Sequence, residues 1–404
     1  MQITRKGFLK SIAGAAVGPG LFGRIPPALA EAKEASSPIL KQARLADLEV
    51  YPFNMESKEV RRIALGNMSA ANVLVRLRTA DGLVGWGESS PFPPITGDSQ
   101  ATNVAAAKDL AEIVKGKDPF DLARVTTEMD VATRGQPGIK AAIEMAIWDI
   151  CGKLAGRPVC CLLGNYRDSF ENDITVYLDK PEIMAQKAQT IVDRGVRTVK
   201  VKLGETPDAD LERLRAVREK VGKSIKLRID ANQAWTPNQA MRVLKALDQY
   251  DVQFCEQPVV YWDWDGLKFV RNNSPIPIMA DESVHSPQDA LEVARREAAD
   301  MINIKLMKSG GILQAVRIAQ IADAANMKCM MGCMSETRVA LTAAAHVVSS
   351  QRNVLFADLD AFTEHKLDPV IGGMQMRGGI VRLPAAPGLG LDIDPAWFRS
   401  LRAA

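Results

Sequence analysis

Six ionisable side chains stand at regular positions in the second half of the sequence: Lys200 and Lys202, Asp230, Glu256, Asp281 and Lys305. From Lys202 onward the intervals are 28, 26, 25 and 24 residues, each the length of one strand, one helix and two loops. Every group would therefore end a successive βα unit. Three carboxylates brought together make an all-oxygen site for a hard divalent cation, and Mg²⁺ suits it because coordination positions remain for water or substrate oxygens. The lysines bracket the carboxylates, Lys202 before them and Lys305 after, so a ligand on the metal would present one face to each. Such a pair can take a proton from one face of a carbon and return it to the other. The carbon acid must lie α to a carboxylate, whose enediolate needs a cation to hold its charge. To act as a base Lys202 must be neutral, which the positive charge of Lys200, two residues away on the same face of a strand, and that of the metal both favour. One such residue alone would be a helix cap or a solvated charge; five of the required type in consecutive units form a catalytic set.

The elements that must position them follow from the hydrophobic pattern. Strands are predicted over Ile174 to Leu178, Thr198 to Leu203, Lys226 to Asp230, Val252 to Glu256, Ile278 to Asp281, Met301 to Lys305, Met327 to Met331 and Val354 to Asp358, with amphipathic helices between them. Eight such strands specify a (β/α) barrel, whose C-terminal strand ends converge on one mouth. Before them, strand-like runs at Asn72 to Leu77 and Gly82 to Gly87 precede a helical pattern at Gly138 to Leu154, an α+β order. The Gly- and Pro-rich chain after Met374, with Ile380 to Leu383, is expected to pack back on that first domain.

The chain has 404 residues, 47% hydrophobic and 25% charged, enough for an ample core. Its 51 basic and 48 acidic side chains leave a net charge of +3 and no electrostatic grip on nucleic acid or an anionic membrane. Six cysteines without a CxxC pair read as packing residues, and three scattered histidines exclude a His-rich metal cluster. At the N-terminus Thr4-Arg5-Lys6-Gly7-Phe8-Leu9-Lys10, an Ala/Gly-rich stretch and Ala28-Leu29-Ala30 have the layout of a twin-arginine export signal over residues 1–30. A polar linker over 31–43 follows, and no stretch reaches the length of a membrane span. The expected location is periplasmic, with a cytosolic leader and a cytoplasmic chain as the competing reading.

The ordered set Thr198-Val199-Lys200-Val201-Lys202, Asp230-Ala231-Asn232-Gln233-Ala234-Trp235, Cys255-Glu256-Gln257-Pro258, Ala280-Asp281-Glu282-Ser283 and Asn303-Ile304-Lys305, with Ser309-Gly310-Gly311, resembles the enolase superfamily, muconate-lactonizing subgroup. The resemblance implies an α/β fold: a (β/α)7β TIM-like barrel at 166–373, an α+β capping domain at 44–165 and a C-terminal segment at 374–404 completing the cap. It implies one Mg²⁺ per subunit on Asp230, Glu256 and Asp281, Lys202 and Lys305 as the acid/base pair with Lys200 beside them, and a homo-oligomer. With lysine on the sixth strand, the His-Asp dyad of the mandelate-racemase subgroup is missing.

Within that superfamily Asp358-Leu359-Asp360, after Met331-Gly332-Cys333-Met334-Ser335-Glu336-Thr337, is similar to the dipeptide epimerase branch acting on L-Ala-D/L-Glu. There the paired aspartates bind the free ammonium of a dipeptide whose carboxylate meets the metal. Two aspartates two apart at a strand end suit such a zwitterion and would repel muconate or succinylbenzoate. The branch's capping-loop arginine, which binds a glutamate side chain, aligns with Leu65 or Gly66 here; Arg62 would replace it under a shifted register, or the pocket takes apolar residues. Pro91 to Gly97 resembles a second lid loop, and Thr96 and Met334 complete the expected substrate contacts. Lys308 and His285 read as loop residues, Trp262 and Trp264 as packing, and Cys255 and Cys333 as bordering the mouth without reacting. The competing readings are a cycloisomerase or o-succinylbenzoate synthase of the same subgroup, and a catalytically silent peptide-binding protein.

Overall fold

The computed structural model describes residues 43–404. The export signal and nearly all of the linker expected at the N-terminus lie outside the described residues.

The capping region opens with β1 (Leu45–Met55), β2 (Ala70–Thr79) and β3 (Val84–Ser89), an antiparallel sheet in the order of the chain. Three helices follow: α1 (Gln100–Val114), α2 (Leu122–Ala132) and α3 (Pro137–Ala155). Ser99 and Thr102 close a capping box at the start of α1. The third helix is buried almost all round because it lies between the cap sheet and the barrel. A short strand, β4 (Ser169–Glu171), leads into the barrel.

The barrel strands are β5 (Ile174–Val176), β6 (Thr198–Lys202), β7 (Lys226–Asp230), β8 (Val252–Glu256), β9 (Ile278–Ala280), β10 (Met301–Ile304), β11 (Lys328–Met331) and β12 (Val354–Ala357). They form one parallel eight-stranded sheet in sequential order, all eight where the hydrophobic pattern puts them. Between them run α4 (Pro181–Asp193), α5 (Pro207–Val221), α6 (Pro237–Leu247), α7 (Trp264–Asn273), α8 (Pro287–Arg296), α9 (Ile312–Ala324) and α10 (Arg338–Ser350). Four of these helices begin on proline, whose missing N–H and fixed φ suit the first helical position, and Thr206, Thr236 and Ser286 cap three of them. No strand ladder joins β12 to β5. The seam is closed instead by the Asp173 N–H on the Ala357 carbonyl (3.1 Å) and the Thr175 N–H on Asp360 Oδ2 (2.7 Å).

Alternation along the strands sorts the barrel's contents. Val199, Val201, Leu227, Ile229, Ile302 and Ile304 belong to the main apolar core, whereas Phe254, Met279, Met301 and Met330 form a separate small cluster with Phe356 against it. Arg228 lies against the rings of Phe254 and Phe356 and pairs with Asp173 at 2.6 Å, a buried cation below the site.

Two glutamates of the cap hold it on the barrel. Glu88 accepts from the Thr337 N–H (2.9 Å), its hydroxyl and the Ala340 N–H, capping α10. Glu144 does the same for α9 through the Ile312 and Leu313 N–H groups. Each supplies acceptors to the orphan donors of a helix N-terminus. The chain ends with β13 (Val370–Gly372), β14 (Gln375–Arg377), β15 (Ile380–Arg382), β16 (Leu391–Ile393) and α11 (Pro395–Ser400). The Ile380 strand pairs with β4 rather than with the cap sheet; the cap contacts come later, from Leu389 on Asp149 and from Trp397 and Phe398 against Phe53, Tyr51 and Trp86.

Candidate active site

Strand register places the chemical groups at one height. Lys202 pairs with Asp230 across β6 and β7, and Asp230 with Glu256 across β7 and β8. Asp281 and Lys305 follow the last residues of β9 and β10. All six predicted groups meet at the C-terminal end of the barrel and are buried. Lys202 Nζ lies 2.6 Å from Asp230 Oδ2, and Lys305 Nζ 2.8 Å from Asp281 Oδ2. Lys200 Nζ sits among Asp358 Oδ2 (2.7 Å), Glu256 Oε2 (2.8 Å) and Asp230 Oδ2 (3.1 Å).

Loop geometry supports this layer. Gln257, held at φ 34°, accepts the Asp281 N–H (2.8 Å) and the Ser283 N–H (3.2 Å) on Oε1, so one side chain joins the ends of β8 and β9. Asn303 donates to Glu256 Oε1 (2.8 Å), and the Asn232 N–H to Asp230 Oδ1 (2.9 Å). Gly332 is required by crowding: a Cβ there would stand 2.7 Å from Asn303 Oδ1 and 3.0 Å from Lys305 Cε.

The electrostatics follow from burial among opposite charges. Burial works against the charge of Lys200 and of Lys305, but the surrounding carboxylates outweigh it and hold both ammonium groups well above the ordinary lysine range. Burial likewise opposes ionisation of Asp230 and Asp281, yet the lysines on them keep both below the usual aspartate range. Glu256 is pushed up, by burial and by the charge of Asp230. Asp358 is held low by Lys200 and Lys202 against its burial, whereas burial and the neighbouring Asp358 push Asp360 up to about 7.

Among the described residues no three His, Cys, Asp or Glu side chains already stand in a metal-binding arrangement; lysine ammonium groups lie on the carboxylate oxygens. The donor set nonetheless fits a hard cation. It is all carboxylate, fully buried, and Glu256 Oε2 accepts no hydrogen bond although Lys200 is beside it. Asp230, Glu256 and Asp281 are the residues that would hold Mg²⁺.

The mouth cavity is lined by Lys202, Lys305, Asp358, Asp360, Thr175 and Tyr177 below, Asn232, Cys333 and Met334 at the sides, and Ile63, Met68 and Ile95 from the cap. Two expected substrate contacts do not reach it. Arg62 lies on the hairpin of Arg62–Ile63 with Gly66–Asn67, where strand alternation turns its side chain outward onto Glu205 Oε1 at 2.8 Å, and Ile63 inward. Thr96 spends its hydroxyl within its own turn, accepting the Phe92 N–H (3.0 Å) and donating to the Phe92 carbonyl, and Ile95 takes the wall instead. Leu65 packs against the core, and Arg61, though 1% exposed, is not part of the cavity lining.

Two further readings change, Lys308 and Trp262, while that of Cys333 stands. Lys308 is a fully buried residue on Asp281 rather than a loop residue, because the single helical turn Leu306–Ser309 folds it back under β9. Trp262 does not pack: it is 66% exposed on a cleft beside the lid turn Pro93–Thr96, while Trp264 leans on the core. Cys333 lines the mouth, its thiol pushed well up by burial and by Glu336. The alternation that singled out Lys200 and Lys202 also marks Arg228, two residues before Asp230, a buried cation the motif reading passed over.

Comparison with known proteins agrees with this geometry. Residues 183–397 match the family described as enolase C-terminal domain-like, and residues 48–164 the N-terminal domain of mandelate racemase / muconate lactonizing enzyme. The chain is 41% identical to the hydrophobic dipeptide epimerase of Enterococcus faecalis, over 86% of this chain and 99% of that protein. It is 36% identical to the L-Ala-D/L-Glu epimerase of Clostridium acetobutylicum, over 86% and 98%. Among solved structures, the dipeptide epimerase of Cytophaga hutchinsonii complexed with Mg and D-Ala-L-Val superposes with a TM-score of 0.88 at 36% identity, covering 89% of this chain and 99% of that one.

Proposed function

Because the chain belongs to the mandelate racemase/muconate lactonizing enzyme family of the enolase superfamily, we propose that it is a Mg²⁺-dependent dipeptide epimerase, an isomerase that inverts the α-carbon of a dipeptide's second residue and prefers an apolar side chain there. The observation that carries the reading is a single cavity lined by Lys202 and Lys305, from opposite ends of the carboxylate arc, and by Asp358 and Asp360.

Asp358 and Asp360 hold the substrate ammonium through charge-assisted hydrogen bonds. One lysine, neutral at Nζ, takes the α-proton from its face while the other, protonated, returns one to the opposite face; the reverse reaction exchanges their roles. Bound Mg²⁺ supplies the positive charge that stabilises negative charge developing on the substrate carboxylate. Ile63, Met68 and Ile95 keep water from the reacting carbon. The cavity has a volume of about 20 Å³, room for one water molecule, so lining side chains or the cap move to admit a dipeptide.

The apolar preference rests on the cap's contribution to the cavity, which is Ile63, Met68 and Ile95 and no cation. A glutamate carboxylate there would be desolvated without a partner. The name of the Enterococcus relative points the same way. The test is incubation with Mg²⁺ and an L-Ala-L-Xaa series in D₂O, reading each dipeptide for a one-dalton gain. Leucine, valine and aromatic second residues should exchange well ahead of glutamate. Exchange with glutamate first would overturn the preference, and exchange with no dipeptide would overturn the epimerase reading in favour of the lyase.

The leader at Thr4 to Lys10 and Ala28 to Ala30 supports export of the chain to the periplasm, where peptidoglycan turnover would supply such dipeptides. Cell fractionation of the full-length chain beside a variant with Arg5 and Lys6 changed to Gln tests the location. A homo-oligomer, tested by sedimentation, completes the proposal.

A further inference from the structure

A second hollow adjoins the mouth across one wall. Thr175 on β5 and Tyr177 just past its end, two residues apart and so on one face, line both the mouth cavity and a groove of about 460 Å³. The groove lies between α4 and the single 3₁₀ turn Ala361–Glu364 that follows β12, and the cap loop adds Glu59 and Val60 to it. Glu59 pairs with Lys187 of α4 at 2.7 Å, and the Leu178 N–H donates to the Arg62 carbonyl at 2.9 Å, which seats that loop on the shared wall. Ile191 is buried there, whereas Val60 and Ile183, 71% and 38% exposed, leave apolar surface open to the groove. Its other charged groups are of both signs, Glu182 and Glu364 against Arg194, so no single charge on a ligand is called for.

The groove meets the site at the end where a substrate's nitrogen would sit. Asp360 Oδ2 accepts the Thr175 N–H at 2.7 Å, and Thr175 Oγ1 donates to Asp358 Oδ1 at 3.4 Å, so both aspartates adjoin the shared wall. None of these contacts involves Asp230, Glu256 or Asp281, and the wall does not depend on whether Mg²⁺ is bound. A dipeptide whose ammonium lies on the two aspartates has the first residue's Cα one bond from that nitrogen, and the first side chain leaves from the same carbon. The mouth cavity, about 20 Å³, offers such a side chain no room, whereas the groove has the size of an ordinary ligand pocket, about 300–1,000 Å³. The second residue's side chain is served elsewhere, by Ile63, Met68 and Ile95 of the cap. On the dipeptide-epimerase reading above, we infer that the groove is the subsite for the side chain of the dipeptide's first residue. It takes large apolar side chains such as leucine, and Tyr177, which lines both hollows, sets how large a first residue is admitted.

The test compares L-Leu-L-Leu with L-Ala-L-Leu, which share their second residue, by exchange of that residue's α-proton in D₂O with Mg²⁺ on the full chain. In the wild type kcat/KM should favour leucine in first place by at least about tenfold, chiefly through KM, because contacts remote from the reacting carbon hold substrate and transition state alike. Ile183→Trp and Thr190→Trp fill the groove from exposed positions two turns apart on α4, and each should lower the Leu-to-Ala ratio at least about fivefold, again in KM. General damage slows both dipeptides together and leaves the ratio in place, so the ratio isolates the groove. Tyr177→Ala should raise kcat/KM for L-Trp-L-Leu relative to L-Leu-L-Leu at least about fivefold. A wild type that prefers alanine in first place would overturn the inference, and so would a ratio that neither tryptophan variant moves. Protein that exchanges no dipeptide at all would instead defeat the epimerase reading. Calorimetric binding of L-Leu-L-Leu then decides the groove separately: at least about tenfold weaker in Ile183→Trp if it is the subsite, and equal in the two proteins if it is not.

Discussion

Replacing Lys202 by alanine separates the two-base reading from its competitors. In the structure Lys202 Nζ lies 2.6 Å from Asp230 Oδ2 at the edge of the mouth cavity, and Lys305 stands at the other end of the carboxylate arc. Removing Lys202 leaves one face of the α-carbon without a proton donor or acceptor. Loss of a positioned general base costs about 10²- to 10⁴-fold, or about 3–5 kcal/mol of transition-state stabilisation. Epimerisation needs both faces, so it should fall by at least that factor from either epimer. Exchange needs only one face, so the epimer whose proton points at Lys305 should keep exchanging in D₂O and stay unepimerised. The fold should tolerate the change, because Asp230 retains Lys200 at 3.1 Å as its counter-ion. Removing one partner of an isolated buried pair costs about 3–5 kcal/mol, and the remaining lysine should keep the loss well below that. The assay is proton NMR of L-Ala-L-Leu and L-Ala-D-Leu in D₂O with Mg²⁺, following loss of the α-proton signal and growth of the other diastereomer. Wild-type epimerisation by Lys202→Ala would refute the reasoning. So would loss of exchange from both epimers in a variant whose unfolding midpoint is unchanged.

Four other outcomes follow from the same geometry. Asp360, pushed up to about 7, must be ionised to hold an ammonium group; KM for the dipeptide should rise as pH falls from 8 to 6, and Asp360→Asn should remove that dependence, read from initial rates. Met68→Arg puts a cation on the apolar cap wall and should shift the L-Ala-L-Glu to L-Ala-L-Leu ratio of kcat/KM at least about tenfold toward glutamate. Glu144, buried at the start of α9, is pushed up to about 7 by burial, so the folded protein keeps its proton where the unfolded chain releases it. This group's stabilisation is complete below about pH 4.5 and is lost as pH rises through 7, a change of about 3 kcal/mol that denaturant titrations should find reduced in Glu144→Gln. Chelation of Mg²⁺ should abolish exchange and readdition restore it, whereas Glu256→Gln should raise the Mg²⁺ requirement at least about tenfold, measured as the metal concentration for half-maximal exchange.

The sequence alone determined the barrel and the chemical layer at its mouth, because both rest on local rules. A strand alternates its side chains with a period of two, and a parallel sheet laid out in chain order brings successive strand ends to one rim. Spacing and residue type were therefore enough to assemble Lys200, Lys202, Asp230, Glu256, Asp281 and Lys305, and the aspartates at 358 and 360 came with the last strand. What closes over that layer is not local. Whether Arg62 or Ile63 faces the substrate depends on the register of a hairpin of two-residue strands against a barrel more than a hundred residues away in sequence, and the tertiary structure turned the arginine out. The same holds for Ile95 over Thr96, settled by one hydroxyl closing its own turn. Lys308 escaped because its partner, Asp281, lies 27 residues earlier and is reached only when a single helical turn folds back under the neighbouring strand. The strand at Ile380 was visible, but its partner was not, since pairing with β4 depends on where the barrel delivers the end of the chain. Periodicity fixes which face of an element a residue occupies; which other element that face meets is decided by packing, and here packing chose the apolar cap residues on which the proposed substrate preference rests.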